Sequence, residues 1–424
     1  MHRMLFALIP ALALSMGVAR AQQAAGEPYL FTPTGCFAGS PFSDVPQADP
    51  SCPWIKQFAA DGISAGCGSG KFCPDQPVTR KQMAMLMEKA MRGTESWEPW
   101  RGAYRRTLIV NPKPGWNDVN GARLQAALAE ITDASYGNPY LIKIEPGWYD
   151  LGNQALDLKP FVDIEGSGVG STFITGSRNG ALVFGADDAE LRSLTVWNAT
   201  VNNPVGIAMA GDTLRLTDVD VITSGELSSV GIQEAGNGAV LTRVSTRNVA
   251  WQPSSNAYGV TIGGAAVLRD CTLFVQAQSG TARGVVAFSG APQFQRVRIE
   301  VDGGIAQYGM RVDTGADATL SRVDVVTSYG AATGIALFDG SATIVDSRID
   351  TEGFGTTGIA CSAASSHVVS IRNSQVSGND AVNGDPQCSF GIANSQLTGD
   401  IDSNGSPMNC YGVYDYQYNE KSCS

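Results

Sequence analysis

Gly206-Ile207, Gly231-Ile232, Gly259-Val260, Gly284-Val285, Gly309-Met310, Gly334-Ile335 and Gly358-Ile359 repeat a glycine and an apolar residue at intervals of 25, 28, 25, 25, 25 and 24 residues. A second column keeps step with it: Leu191, Leu216, Leu241, Leu268, Phe294, Leu320, Ile344 and Ile371. Self-similarity at this period in short β-rich segments predicts a solenoid in which each repeat is one coil. Three and five residues after the second column stand Leu194 and Val196, Val219 and Val221, Cys271 and Leu273, Val297 and Ile299, Val323 and Val325. This alternation puts one set of side chains inside the coil and the intervening set outside. Strands about 4.8 Å apart then make about eight to ten coils into a rod on the order of 40 to 50 Å long.

Outside, two residues after the leucine column, Asp218, Arg243, Asp270 and Arg296 form an alternating ladder, and a second strip carries Asp220, Arg298, Asp324 and Arg348. Polysaccharide cleavage needs acids and an arginine gathered around a sugar, so Asp218, Asp220, Arg243 and Asp270 are the catalytic candidates. The simpler reading, which we favour, is a solvated face of paired charges, each pair contributing about 0 to 1 kcal/mol. Glu234 falls on an inward position, where a bulge turning it to solvent is expected. Asp187 and Asp188 are adjacent and read as a turn, since a glycosidase needs two carboxyls roughly 5 to 10 Å apart across one sugar. The longest coil contains residues 248–258, read as a loop whose Trp251 and Tyr258 stack on sugar rings.

Composition narrows the partners. The formal net charge is −11, which repels phosphate backbones and excludes nucleic acid as the expected partner. Residues 1–21, with Arg3, the apolar run Met4 to Val18 and Ala19-Arg20-Ala21, read as a secretory signal peptide. The run is too short to span a bilayer, so no transmembrane segment is expected. Export permits disulfides, and proximity along the chain pairs Cys36 with Cys52, Cys67 with Cys73, Cys361 with Cys388, and Cys410 with Cys423. Cys271 is left over in an apolar column and reads as a buried, inert thiol. After the signal peptide the only histidine is His367; histidine triads and zinc sites are not expected, nor is any cofactor.

Between Cys36 and Gly93 two short helices are expected, the first capped by Ser51, the second opened by a Thr79/Gln82 capping box with Met83, Leu86, Met87 and Ala90 as its core face. Phe42-Ser43-Asp44-Val45, Trp54-Ile55, Asp61-Gly62-Ile63, Gly66-Cys67, Phe72-Cys73-Pro74-Asp75 and Val78-Thr79-Arg80 make this segment similar to the S-layer homology module. The resemblance implies anchoring to a cell-envelope glycan, with Trp54 and Arg80 at the ligand site, and a trimer formed through this head. Here the family's Thr-Arg-Ala-Glu tetrad reads Thr79-Arg80-Lys81-Gln82, and the module occurs once where anchoring proteins carry three.

Next come a strand over 107–110, an amphipathic helix over 118–132 with Leu124, Leu128 and Ile131 on one face, Glu145-Pro146-Gly147-Trp148-Tyr149, and Gly166-Ser167-Gly168. This order resembles the entrance of the pectin lyase-like right-handed parallel β-helices. The resemblance implies a fold shared by lyases, hydrolases and esterases of polysaccharides, but the Asn-Thr-Asp and Gly-His-Gly segments of polygalacturonases and the Gln-Asp-Thr segment of pectinesterases are absent. The expected organisation is a signal peptide (1–21), a flexible leader (22–35), the S-layer-homology-like head (36–93), a linker (94–106), an all-β right-handed parallel β-helix with its capping helix (107–399), and a disulfide-closed cap (400–424). The expected role is that of a secreted, cell-surface-associated protein that binds an envelope or extracellular polysaccharide or serves as a structural or adhesive stalk. The alternative is a divergent polysaccharide lyase or glycoside hydrolase.

Overall fold

The computed structural model describes residues 42–60, 63–64, 66–92, 104, 106–209, 213–328 and 330–423. The expected signal peptide, leader, Cys36, Trp97 and Trp100 lie outside the described residues. The chain divides into two compact units, Met1–Trp97 and Glu98–Ser424.

In the second unit the leucine column runs further than the repeat alone suggests. Leu108, Ile142, Ile164, Leu191, Leu216, Leu241, Leu268, Phe294, Leu320, Ile344, Ile371, Ile392 and Cys410 pair one above the next, always in parallel register. The unit is an all-parallel β-solenoid. Each regular coil contributes three strands, as in Val267–Arg269, Thr272–Ala277 and Thr281–Ala287, so three sheets enclose one apolar core. Leu241, Leu268, Phe294, Val275 and Val301 within it are fully buried.

The corner between the first and second sheets corrects one expectation. Ser193, Asp218, Arg243, Asp270, Arg296, Arg322, Asp346, Asn373 and Asn394 are not ordinary outward strand positions; each has φ between 49 and 56°. A left-handed residue turns the chain from one sheet into the next, which Asp and Asn tolerate well. The corner N–H bonds the next coil, as from Arg243 to the Arg269 carbonyl (2.9 Å) and from Asp270 to that of Gln295 (3.0 Å).

The repeat glycines have a packing cause, not a conformational one. None of the seven has positive φ. A Cβ on Gly284, Gly309 or Gly334 would lie 2.2 Å from Ile299 Cγ2, Val325 Cγ1 or Ile349 Cγ2, respectively. The pairing ladder skips each glycine, and Gly309 and Met310 are both buried. The third sheet therefore bends at the glycine, and branched side chains of the second sheet occupy the space that a side chain there would need.

The inner column after the corner changes chemistry along the rod. It holds Val297 and Val323, then Ser347, Ser374 and Ser395, all buried. Each serine hydroxyl donates to the carbonyl two residues back, at 2.7 to 2.8 Å, and accepts an N–H from the preceding coil, at 3.1 to 3.2 Å. Full pairing lets these hydroxyls sit in the interior. Cys271 belongs to the same column; its thiol donates to the Arg269 carbonyl at 3.2 Å, and burial pushes its pKa up to about 12. Its thiolate is suppressed, as expected of an inert cysteine.

Both ends are covered. Helix α3 (Asn117–Glu130) buries Leu124 and Leu128, and a Cβ on its Gly121 would fall 2.0 Å from the Asp150 carbonyl oxygen, so helix and strand backbones touch. At the other end Met408–Tyr411 continues the first sheet in parallel, Val413 is buried, and Cys410 is bridged to Cys423. The antiparallel element there is one bridge, Tyr414 to Glu420. Cys361 and Cys388 join successive coils of the third and first sheets, with Cα atoms 6.2 Å apart.

The first unit holds α1 (Cys52–Ala60) and α2 (Arg80–Arg92), with Phe42, Val45, Cys52 and Ile55 as its core. The Cys67–Cys73 bridge is present and Cys52 is disulfide-bonded. Asp44 accepts the N–H groups of Phe72 and Cys73, both at 2.8 Å, and these bonds, that from Phe72 foremost, hold its pKa below the usual range. The capping box forms, since Thr79 Oγ1 accepts the Gln82 N–H (3.2 Å) and Gln82 Oε1 the Thr79 N–H (2.9 Å). Two details differ from expectation. Ser51 donates its hydroxyl to Asp49 (2.7 Å), because that carboxylate lies two residues back, and Met83 and Met87 are exposed instead of filling the core.

Candidate functional site

The four catalytic candidates do not converge. Asp218 and Arg243 form a two-pronged ion pair (2.5 and 2.8 Å), and Asp270 makes the same arrangement with Arg296 (2.6 and 3.0 Å). The Asp218 hydrogen bond is the main reason that Arg243 is held above the ordinary guanidinium range. Asp218, Arg243, Asp270 and Arg296 stand on a corner of the solenoid, where each charge is answered by its neighbour one coil away, whereas Asp220 stands on the second sheet. Glu234 is exposed, with φ 58°, and the register shifts between Ile232 and Ala235, so Ala235 takes the inner place. Asp187 and Asp188 lie in a turn, where Asp187 accepts the Thr213 N–H at 3.1 Å.

The expected loop at 248–258 is mostly strand. Asn248 to Ala250 end one strand and Asn256 to Tyr258 begin the next; only 251–255 form a turn, lengthened from 226–227 in the coil before. Asn248 is fully buried, accepting from Thr223 (2.7 Å) and donating to Thr246 (3.0 Å), so a polar residue marks the interior here. Trp251 and Tyr258 thus stand on different elements. Trp251 is exposed, its indole N–H donating to Ser224 Oγ (2.8 Å). Tyr258 lies on the outer face of the third sheet, where Arg283 sits between its ring and that of Tyr308, at 5.2 and 5.7 Å. In the first unit, Trp54 and Arg80 are exposed.

The second sheet's outer face carries a site that the sequence reading missed. Trp148 and Phe173 are register partners, their rings stacked at 4.3 Å and 8°, and Trp197 follows at 5.9 Å from Trp148. Along its own column, two residues over from that of Trp148 and Phe173, Trp197 is succeeded by Ile222, Arg247 and Phe274, with the Arg247 guanidinium 5.8 Å from the Phe274 ring. Both tryptophans are partly exposed. Asp220 continues the column of Trp148 and Phe173 through Thr195 and accepts from the Ser245 hydroxyl. Burial raises its pKa, against the lowering effects of Ser245 and Arg247.

That direction fixes a pH dependence. A carboxyl whose folded pKa is raised costs stability when ionised, and the cost disappears as the pH falls below both its folded and unfolded values. Asp220→Asn is therefore expected to raise the melting temperature at pH 7, by an amount in the range of roughly 2 to 4 °C per kcal/mol relieved. The gain should vanish near pH 3 in the same thermal scans; an equal gain at both pH values would assign it to packing.

A denser ionic cluster lies on the outer face of the first sheet. Arg192 reaches Glu165 at 2.7 Å, Glu190 at 3.1 Å and Asp163 at 3.6 Å; Lys143 bonds Glu165 at 3.2 Å, and Tyr104 donates to Asp163 at 2.7 Å. Burial raises the pKa of Asp163, while Glu165, despite its own burial, is held low by Arg192 and Lys143. Glu190 also accepts from Thr217, at 2.7 Å, and Asp163 from the Glu190 N–H, at 2.8 Å. With its carboxylates already bonded, the cluster fixes register where Tyr104 packs. The sequence signal for it was the sharing of positions: Lys143, Glu165 and Arg192 follow the leucine column by one residue, and Asp163, Glu190 and Arg215 precede it by one. Farther along this face Gly391 floors an open depression of about 320 Å³ beside Arg372, Asn409 and Tyr411, with no carboxylate in its lining.

No family model matches the sequence, and no curated protein does. Among solved structures, the chain is similar to the A-module of the mannuronan C-5 epimerase of Azotobacter vinelandii, at 14% identity over 70% of this chain and 95% of that one, TM-score 0.37. It is similar to pectin methylesterase from carrot at 15% identity, over 62% and 89% of the two chains, TM-score 0.36. The family 28 exopolygalacturonase of Yersinia enterocolitica gives 10% identity over 74% and 79%, TM-score 0.28.

Proposed function

We propose that the chain is an exported, cell-envelope-associated protein that binds a polysaccharide along the outer face of the second sheet without cleaving it. The observation that carries this reading is the group of contacting rings Trp148, Phe173 and Trp197 on the outer face of the second sheet, with both tryptophans partly exposed. Exposed aromatic surface suits the apolar faces of sugars, and a parallel ladder holds the rings in place with little entropy left to lose. The head, on its S-layer-homology-like motifs, anchors the protein to envelope glycan through Trp54 and Arg80, because the Thr79 hydroxyl is already engaged with Gln82.

A lyase or hydrolase reading has one observation in its favour, the half-buried Asp220 near Arg247. Asp218, the acid nearest to it in sequence, is clasped by Arg243. The test is retention of the chain from residue 22 on a panel of immobilised neutral and acidic polysaccharides. Retention by a subset, lost in Trp197→Ala and kept in Arg80→Ala, supports binding by the solenoid; the opposite pattern gives binding to the head, and no retention refutes both.

A further inference from the structure

Seven successive turns join the second sheet to the third, at residues 201–203, 226–227, 251–255, 278–280 and 303–305, around Gly330, and at 353–356. Hydrogen bonds stack one turn on the next: Glu226 N–H to the Val201 carbonyl (3.0 Å), Gln252 N–H to that of Glu226 (3.1 Å), and Ile305 N–H to that of Gly280 (2.9 Å). Along this single edge stand Val201, Leu227, Trp251, Ile305 and Phe354, exposed by 61, 55, 56, 72 and 94%. From Glu190 to Ser362 the other exposed large apolar residues, among the described residues, are Trp197 and Phe288. The corner between the first and second sheets carries Asp, Arg and Asn instead. Isolated apolar residues on a surface need no explanation, but five along one edge do.

We infer that this edge is the contact along which two copies of the chain lie side by side, antiparallel, about a two-fold axis at the turn 278–280. Three features select a second copy. The row is symmetric about its middle turn: apolar residues stand in the three turns before it (Val201, Leu227, Trp251) and in the first and third turns after it (Ile305, Phe354). Reversing one copy about the middle turn sets Trp251 opposite the turn that holds Ile305, Leu227 opposite that of Gly330, and Val201 opposite the turn that holds Phe354. A parallel arrangement would set tryptophan on tryptophan and phenylalanine on phenylalanine. Second, both rows share the strand spacing of about 4.8 Å, so facing side chains stay in step over their whole length. Third, the five side chains expose on the order of 600 Å², close to the roughly 800 Å² per partner of a stable interface. The surface is self-complementary, as a two-fold contact requires. A net charge of −11 and Glu226 within the row disfavour an anionic membrane as the occupant.

Sedimentation velocity on the chain from residue 22, at tens of micromolar, tests this. The expected result is twice the monomer mass, falling to the monomer mass in Leu227→Asp and Trp251→Asp with melting temperatures unchanged. Gln278→Cys, near the axis, should give a covalent dimer on mild oxidation that reducing agent reverses. A wild-type monomer, a trimer, a dimer that survives Leu227→Asp and Trp251→Asp, or no cross-link through Gln278→Cys would each overturn the inference. So would a monomer that pellets with phosphatidylcholine vesicles through Trp251, which would reassign the edge to a lipid surface.

Discussion

Gly309→Ala is expected to destabilise the solenoid by about 1 to 3 kcal/mol or more, as insertion of an atom into a filled interior does. The added Cβ would lie 2.2 Å from Val325 Cγ1 and 2.6 Å from the Gly334 carbonyl oxygen. The first neighbour is held inside a fully buried column and the second is main chain of the next coil, so neither yields without disturbing two coils at once. Two controls separate crowding from a general dislike of alanine. Gly391→Ala, also in a strand, adds a Cβ with nothing within 4 Å and should leave the melting temperature unchanged. Combining Gly309→Ala with Val325→Ala vacates the contested space, so the double variant should lose less stability than the two single losses together. Calorimetry on the wild type and the four variants reads this directly; additive losses would mean that the glycine column is not set by the second sheet.

Removing the aromatic run should have the largest functional effect. Trp148→Ala with Trp197→Ala is expected to weaken polysaccharide binding about a hundredfold, at about 1 to 2 kcal/mol for each ring. Neither tryptophan is a core residue: both are partly exposed, and the buried Tyr149 and Val196 beside them remain to hold the strands. The double variant should therefore keep its circular dichroism and melting temperature, which distinguishes loss of a binding surface from loss of the fold. Tyr258→Phe, which removes the hydroxyl that accepts from Arg283 at 2.7 Å, should leave affinity unchanged, since that residue lies on another sheet.

How much of this was legible follows from what each residue answers to. The glycine and leucine columns were readable because each is imposed by a neighbour one coil away, and a parallel stack converts that contact into a fixed sequence interval. The same stacking made the alternation of Asp218, Arg243, Asp270 and Arg296 visible. Their left-handed corner was not visible, because arginine at positive φ contradicts local preference and is tolerated only where the next coil takes up its N–H. Residues 248–258 were misread because Asn248, Trp251 and Ser254 look like a loop, while Asn248 is in fact a buried hydrogen-bonding strand residue. Trp148, Phe173 and Trp197 escaped notice for another reason: the first two precede the regular repeat, and the third stands two residues farther along its strand than the partner of Phe173. Only the register of the folded coils brings the three rings together. The ionic cluster around Arg192 was hidden likewise, since Asp163, Glu165 and Glu190 belong to different coils.

The central claim, binding without cleavage on the second sheet, is tested most directly by one incubation. The polysaccharide retained best by the chain is held with excess protein, and its bound fraction and chain-length distribution are followed together by size-exclusion chromatography with light scattering. The account predicts a bound fraction that depends on Trp148 and Trp197 and a chain length that does not change. Shortened chains, abolished by Asp220→Asn, would contradict it and make the face a catalytic one.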